Sequence, residues 1–313
     1  MLVAQNCTNA PAETASDAGV AGAGVLLSFI ITAGLAIILS SIIILYEALR
    51  KSESRILRKL LQSFSDQQLI TGIGIQSVGI AKLDTMVPYH FFIIWMLSLL
   101  ATATHISTLL ALVGDFKRDW VLRWLRQLLM LVNLVLSSVF GVYVLRTNLT
   151  SLPGTLPIGC VSVVPSKGAE GNAALSILGT CVVIAGNFIL YVFALWYLHS
   201  KSQRWLTGLQ IIGIVFLLGI ATGAAIRIIT LSQAFGNASV KLADDGEKDW
   251  SFGQLLPLLL LLLPIVSAIE IFRGEMNVPP PICSDGDSMK LGDQELQFQP
   301  NPFWGSRSNL VKR

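Results

Sequence analysis

The sequence predicts an all-α membrane protein: a seven-transmembrane helix bundle with its N-terminus outside and its C-terminus cytosolic. Three observations predict it. Seven apolar stretches are each about long enough to cross a bilayer, and the Lys and Arg of their linkers fall on alternate sides. The 313 residues are 53% hydrophobic and only 13% charged, with a mean hydropathy of +0.67. That is too apolar for an ordinary soluble domain. The formal net charge of +3 is scattered among the linkers, which argues against nucleic acid as a partner. Membrane lipid is the expected surrounding.

The chain divides into a short N-tail (1–18), a transmembrane domain (19–273) and a polar tail (274–313). The N-tail has neither the basic start nor the apolar core of a cleavable signal and is expected to be retained. Spans are expected at 20–46, 66–82, 88–113, 122–146, 173–199, 206–232 and 252–272. The first is followed by Arg50, Lys51, Arg55, Arg58 and Lys59, so it should insert with its N-tail outside. Lys117, Arg118, Arg123, Arg126, Lys201, Arg204 and Arg273 continue the cytosolic pattern and offer, with the tail, a surface for a cytosolic partner. A multi-pass protein of the plasma membrane or endoplasmic reticulum follows.

The second span is the most polar, interrupted by Asp66, Gln67, Gln68 and Gln76 and weakened by three glycines. Ser65-Asp66-Gln67-Gln68 reads as its helix start, with a carboxylate opposing the helix dipole. Two glutamines entering the membrane call for other polar groups, and Glu47 and Glu270 are expected on the same side.

Span three carries His90 and His105, with Ser98, Ala101, Thr104 and Thr108 in the same sector, so one polar stripe is expected to face the interior. The histidines are roughly 22 Å apart along the axis, which excludes a shared metal ion. Each can bind a ligand, move a proton or simply satisfy a neighbouring hydroxyl. No metal or cofactor is expected.

In span six, Arg227 shares a face with Gly219 and Gly223, a pair spaced for close helix contact. Arg227 can pair with Asp84, hold an anionic ligand or reach for headgroups. Span seven begins at Phe252-Gly253-Gln254 and carries Pro257 and Pro264 on one face, a kink signal.

The triplets at Asn6, Asn148 and Asn237 match the N-glycosylation pattern in segments assigned outside. Cys7 and Cys160 share that oxidising side and are the disulfide candidates. Trp120, Trp124, Trp196, Trp205 and Trp250 lie near span ends, as an interfacial belt requires, whereas Trp95 lies deeper. The tail is expected to be disordered, and its Asn301-Pro302-Phe303 looks like an endocytic sorting signal.

Ser65-Asp66-Gln67-Gln68, Tyr89-His90-Phe91, Thr104-His105, Leu156-Pro157-Ile158-Gly159-Cys160 and Phe252-Gly253-Gln254 together resemble a largely uncharacterised family of heptahelical membrane proteins from filamentous ascomycete fungi. The resemblance implies the fold and lineage and brings no catalytic residues. Two function classes stand. One is a receptor-like sensor with ligand capture outside and partner binding inside. The other is a membrane-embedded enzyme or accessory protein of fungal lipid or terpenoid secondary metabolism, for which the visible acids sit only at span ends.

Overall fold

The computed structural model describes residues 7–50, 55–116, 120–150, 152–164, 173–200 and 205–272. Among them the regular structure is helical, apart from one isolated bridge between Thr14 and Leu242. The helices are α1 (Ala18–Ala21), α2 (Ala23–Arg50), α3 (Arg55–Ala81), α4 (Pro88–Ala111), α5 (Val113–Phe116), α6 (Trp120–Thr150), α7 (Ala173–His199), α8 (Leu206–Leu231), α9 (Phe252–Leu260) and α10 (Leu262–Phe272). A short 3-10 turn spans Ile158–Ser162.

Six helical segments are long and apolar enough to cross a membrane: Ala18–Leu49, Pro88–Ala111, Arg123–Thr150, Ser176–His199, Leu206–Leu231 and Phe252–Glu270. The chain is a polytopic membrane protein. The expected second span is missing from that set. The helix α3 there runs through the bundle against α2, α4, α6 and α10. It also starts at Arg55, about three turns before Asp66. Asp66 is therefore an interior helical residue, and the expected cap at Ser65 or Asp66 is corrected. Residues 55–65 carry Leu57, Leu61 and Phe64 at helical spacing, with Leu61 and Phe64 buried, and this extends the helix beyond its apolar part.

The central element is α4. Every residue from Tyr89 to Ala111 is buried except Phe92, which is half-buried. A helix apolar all round is a core helix. The expected polar stripe is thus no separate interior face, because the whole circumference is interior. Around it, α7 and α8 expose Leu178, Val182, Ile189, Val192, Ile211, Ile212, Val215 and Ile226. Apolar exposure on that scale fits lipid rather than water.

Two glycines of α3 that seemed to weaken it serve its packing. A Cβ on Gly72 would meet Ala101 Cβ at 2.9 Å, and one on Gly79 would meet Phe140 Cζ at 2.6 Å and Ile94 Cδ1 at 2.8 Å. Missing side chains let α3 approach α4 and α6 closely. Phe91 and Phe140 stack beside it with centroids 4.2 Å apart. In the last span the helix breaks at Leu261, where N–H bonds back three residues to Leu258 O at 3.1 Å. Pro264 has no N–H to offer Leu260, so the expected proline effect takes the form of a break between α9 and α10.

Connecting segments gather at the α4 N-terminal end of the bundle, termed the cap end; the opposite end is the base. Ile158 N–H donates to Met86 O at 2.8 Å and Gly159 N–H to Leu83 O at 3.0 Å. Thr14 N–H donates to Lys241 O at 3.1 Å, and Thr14 O accepts from Ala243 N–H at 2.8 Å. Lys82 pairs with Asp17 at 2.7 Å, and Lys241 pairs with Glu13. Cys7 and Cys160 form a disulfide with Cα atoms 5.6 Å apart, tying the N-tail to the 3-10 turn.

Candidate functional site

Four polar arrangements are built on this frame. At the cap end, the chain between α8 and α9 turns Glu247 inward until it is 0% exposed. Tyr89 Oη donates to Glu247 Oε2 at 2.7 Å, and His90 Nε2 lies 2.7 Å from Oε1. Tyr89 Oη in turn accepts from Gln233 N–H at 2.8 Å. Ala23 N–H donates to Glu247 O at 3.1 Å. One residue thus fastens the loop to two helices, its carboxylate oxygens both engaged by α4 and its backbone carbonyl by α2. Beside it, Gln254 is buried, donating Nε2 to Asp249 O at 2.6 Å and accepting from Gly24 N–H at 3.3 Å. A Cβ on Gly24 would run into the Gln254 backbone, so glycine lets α9 lie on α2.

Within the bundle a hydrogen-bond chain joins α3, α6 and α4. Gln76 Nε2 donates to Asn133 Oδ1 at 2.7 Å, and Asn133 Nδ2 donates to Thr102 Oγ1 at 3.1 Å. Thr102 Oγ1 donates to Ser98 O at 2.8 Å, and Ser98 Oγ shares a bond with Ser137 Oγ at 2.8 Å. Nearer the base, Ser65 Oγ lies 3.4 Å from His105 Nδ1. His105 Nε2, Gln67 Oε1, Gln68 Nε2 and Gln76 Oε1 are buried with no hydrogen-bond partner among the described residues. Unlike Gln76 and His105, Gln67 and Gln68 are not drawn into a shared side-chain cluster.

At the base, Arg126 grips Asp66 with two bonds of 2.9 and 2.6 Å, and its guanidinium lies 5.7 Å from the Phe116 ring centre. Arg58 bridges Glu47 and Asp115, the latter at 2.8 Å. Glu47 is therefore held by Arg58, while Asp66 is held by a different arginine. These groups are half-exposed ion pairs that bind helix ends together.

The fourth arrangement is a cleft of about 650 Å³ between α7 and α8, floored by α4. Phe92, Trp95, Met96, Leu99, Val183 and Phe216 supply its apolar walls. It joins a smaller space of about 300 Å³ at the cap end, lined by Tyr89, Thr147, Asn148 and Ser239 among others. Phe92, Trp95, Ser176 and Arg227 line both. Arg227 is exposed and makes no ion pair among the described residues, which leaves anion binding or a reach for headgroups of the three alternatives raised for it. Gly219 and Gly223 were expected at a close helix contact; a Cβ on either would have nothing within 4 Å. They face space because α7 and α8 touch closely only further toward the base, where Phe216 lies against Gly186.

Among the other expected positions, Asn237 is exposed in the cap-end loop. Asn148 sits in the last turn of α6, its Nδ2 donating to Ser176 Oγ at 3.3 Å. Asn6, Lys117, Arg118, Lys201, Arg204, Arg273 and the tail with Cys283 and Asn301-Pro302-Phe303 lie outside the described residues. Glu247, Asn133 and Ser137 were not anticipated. A lone Asn inside an apolar run is a readable signal, whereas Glu247 in an acidic loop carries none. No group of three or more His, Cys, Asp or Glu suited to a metal ion occurs among the described residues. No family model, curated protein or solved structure matches the chain.

Proposed function

We propose that this polytopic membrane protein is a receptor-like sensor that captures a membrane-soluble ligand and passes its occupancy to a cytosolic partner. The observation that carries the reading is the cleft between α7 and α8: apolar and, among the described residues, lined by one cationic side chain and without an acid and base facing each other across it. In this reading α3 is a seventh transmembrane segment, carried through lipid by partners that screen its glutamines. The cap end, with its disulfide and the exposed Asn237, lies outside. The base and tail face the cytosol at the plasma membrane or endoplasmic reticulum. Lineage among the heptahelical fungal proteins belongs to the same proposal.

An enzyme or accessory role in fungal lipid or terpenoid metabolism is the competing reading, favoured by Tyr89, His90 and Glu247 together. Its weakness is access. Glu247 is fully buried with both oxygens bonded, and neither it nor His90 lines the cleft. The deciding experiment incubates the purified protein with a total lipid extract of its own membrane and follows both products and capture of cytosolic proteins. Extract-dependent capture without new products supports the sensor. Turnover that disappears in Glu247→Gln would sink it.

A further inference from the structure

Resting on the cleft as the sensing site, we propose that its ligand is a single-tailed amphiphile with one carboxylate head, lying along α8 with that head on Arg227. The cleft has a polarity axis. Because α4 and α7 run down from the cap end while α8 runs up to it, Phe92, Ser176 and Arg227 fall at one end, and Leu99, Val183 and Val215 at the other. From Val215 to Arg227 the groove follows α8 for roughly 18 Å at 1.5 Å per residue. That is a little more than half of a hydrocarbon core about 30 Å thick. A chain embedded in the cap-side leaflet therefore enters sideways, between α7 and α8, without leaving lipid.

The volume of about 650 Å³ lies in the ordinary range for a small-molecule site. The head end supplies one positive charge and neutral donors. Among the described lining residues Arg227 is the only charged side chain, with Ser176, Thr147, Asn148 and Ser239 nearby. A planar guanidinium meets a carboxylate with two parallel bonds, and one cation balances one negative charge. A phosphate monoester carries more charge than this mouth neutralises. Exposed to the groove without an acidic partner among the described residues, Arg227 needs no existing ion pair broken to bind it.

Gly179, Gly219 and Gly223 make the assignment testable. A Cβ on any of them would have nothing within 4 Å, so larger side chains there enter the groove and not the protein. The experiment measures tritiated oleate binding to the purified full chain in phosphatidylcholine nanodiscs, with oleyl alcohol and lysophosphatidate as competitors. Saturable oleate binding is expected, with each competitor at least about tenfold weaker. Arg227→Gln should weaken oleate about tenfold and erase its advantage over oleyl alcohol. Gly219→Leu and Gly223→Leu should each weaken binding at least tenfold while thermal unfolding stays at the wild-type temperature.

Absence of saturable binding, parity of oleate and its alcohol on the wild type, stronger binding of lysophosphatidate, or full binding by both leucine variants would each overturn the proposal. The broader reading fails separately. If Gly219→Leu still responds to membrane extract in the capture assay, the cleft is wrong and sensing stands; if oleate binds as described and capture never responds, sensing is wrong and the ligand assignment stands.

Discussion

The two flanks of α4 are built on opposite plans. Against α3 and α6 the central helix is closed by Gly72 and Gly79, by the Phe91–Phe140 stack and by the chain from Gln76 through Asn133 to Thr102. Against α8 the same devices are confined to the base, where Gly213 lies on Leu110 and Gln210 Nε2 donates to Leu110 O at 2.8 Å; toward the cap a cleft opens between α7 and α8, where Gly219 and Gly223 meet nothing. Lipid tails are as apolar as leucine, so in a bilayer helices are joined by close packing and hydrogen bonds rather than by water's exclusion. The flank that has both along its length is shut; the flank that has both only near the base leaves room for another molecule toward the cap. Small residues alone do not distinguish a contact from a void.

The largest effect is expected at the cap, where Glu247 fixes the end of α4 for both flanks. Glu247→Ala removes the acceptor for Tyr89 and His90 and leaves both buried. Each buried polar group left without its partner costs about 1–3 kcal/mol, and two are left here. Loss of most folded protein in detergent, read by size-exclusion profile and thermal unfolding, is the expected outcome, and Glu247→Gln should recover part of it. A wild-type melting temperature for the alanine variant would mean that the carboxylate holds nothing.

Next in size is a paired glycine test. Gly79→Leu drives carbon into Phe140 and Ile94, and overpacking of this kind costs about 1–3 kcal/mol. Gly223→Leu adds the same atoms on the open flank and should cost no stability, since leucine also favours the helix over glycine. Equal effects at the two positions would erase the distinction between the flanks. Smaller again is Asn133→Leu, which strands Gln76 Nε2 with only its bond to Gly72 O and removes the donor to Thr102. Bonds of this kind within membranes are worth about 0.6–2 kcal/mol. In the Gln76→Leu background the Asn133 effect should shrink, because the two share one interaction.

How much of this the sequence carried depends on the kind of physics. Long apolar runs report their own length, so six spans lie close to helices that α2, α4, α6, α7, α8 and the α9–α10 pair supply. The polar second span was legible as unusual, but that its helix reaches back to Arg55 was hidden by basic residues that read as linker. His90 was readable and Glu247 was not: an intramembrane histidine stands out, while a loop glutamate looks solvated until the fold buries it. Gly219 and Gly223 show the deeper limit. Spacing says that two glycines share a face, and only the placement of a third helix decides whether that face meets protein or space.

The smallest expected effect concerns the cap-end strand pairing that overlies both flanks. Asp244 is held below the usual carboxylate range, first by the Ser16 hydroxyl and then by the Gly246 N–H. A carboxylate whose folded pKa is depressed contributes fully above its unfolded value, near pH 4, and loses that contribution as pH falls through the folded value. Lys241 shifts the other way, raised by its bond to Glu13, and stays charged across this window. Protection of the Thr14 and Ala243 amides from hydrogen exchange, corrected for intrinsic rates, should therefore hold from about pH 7 to about pH 4 and weaken below it. Ser16→Ala should weaken protection already at neutral pH and reduce its further loss in acid, because the folded carboxylate is then less favoured. An unchanged acid profile in Asp244→Asn would assign the loosening to another group and leave the cap independent of this carboxylate.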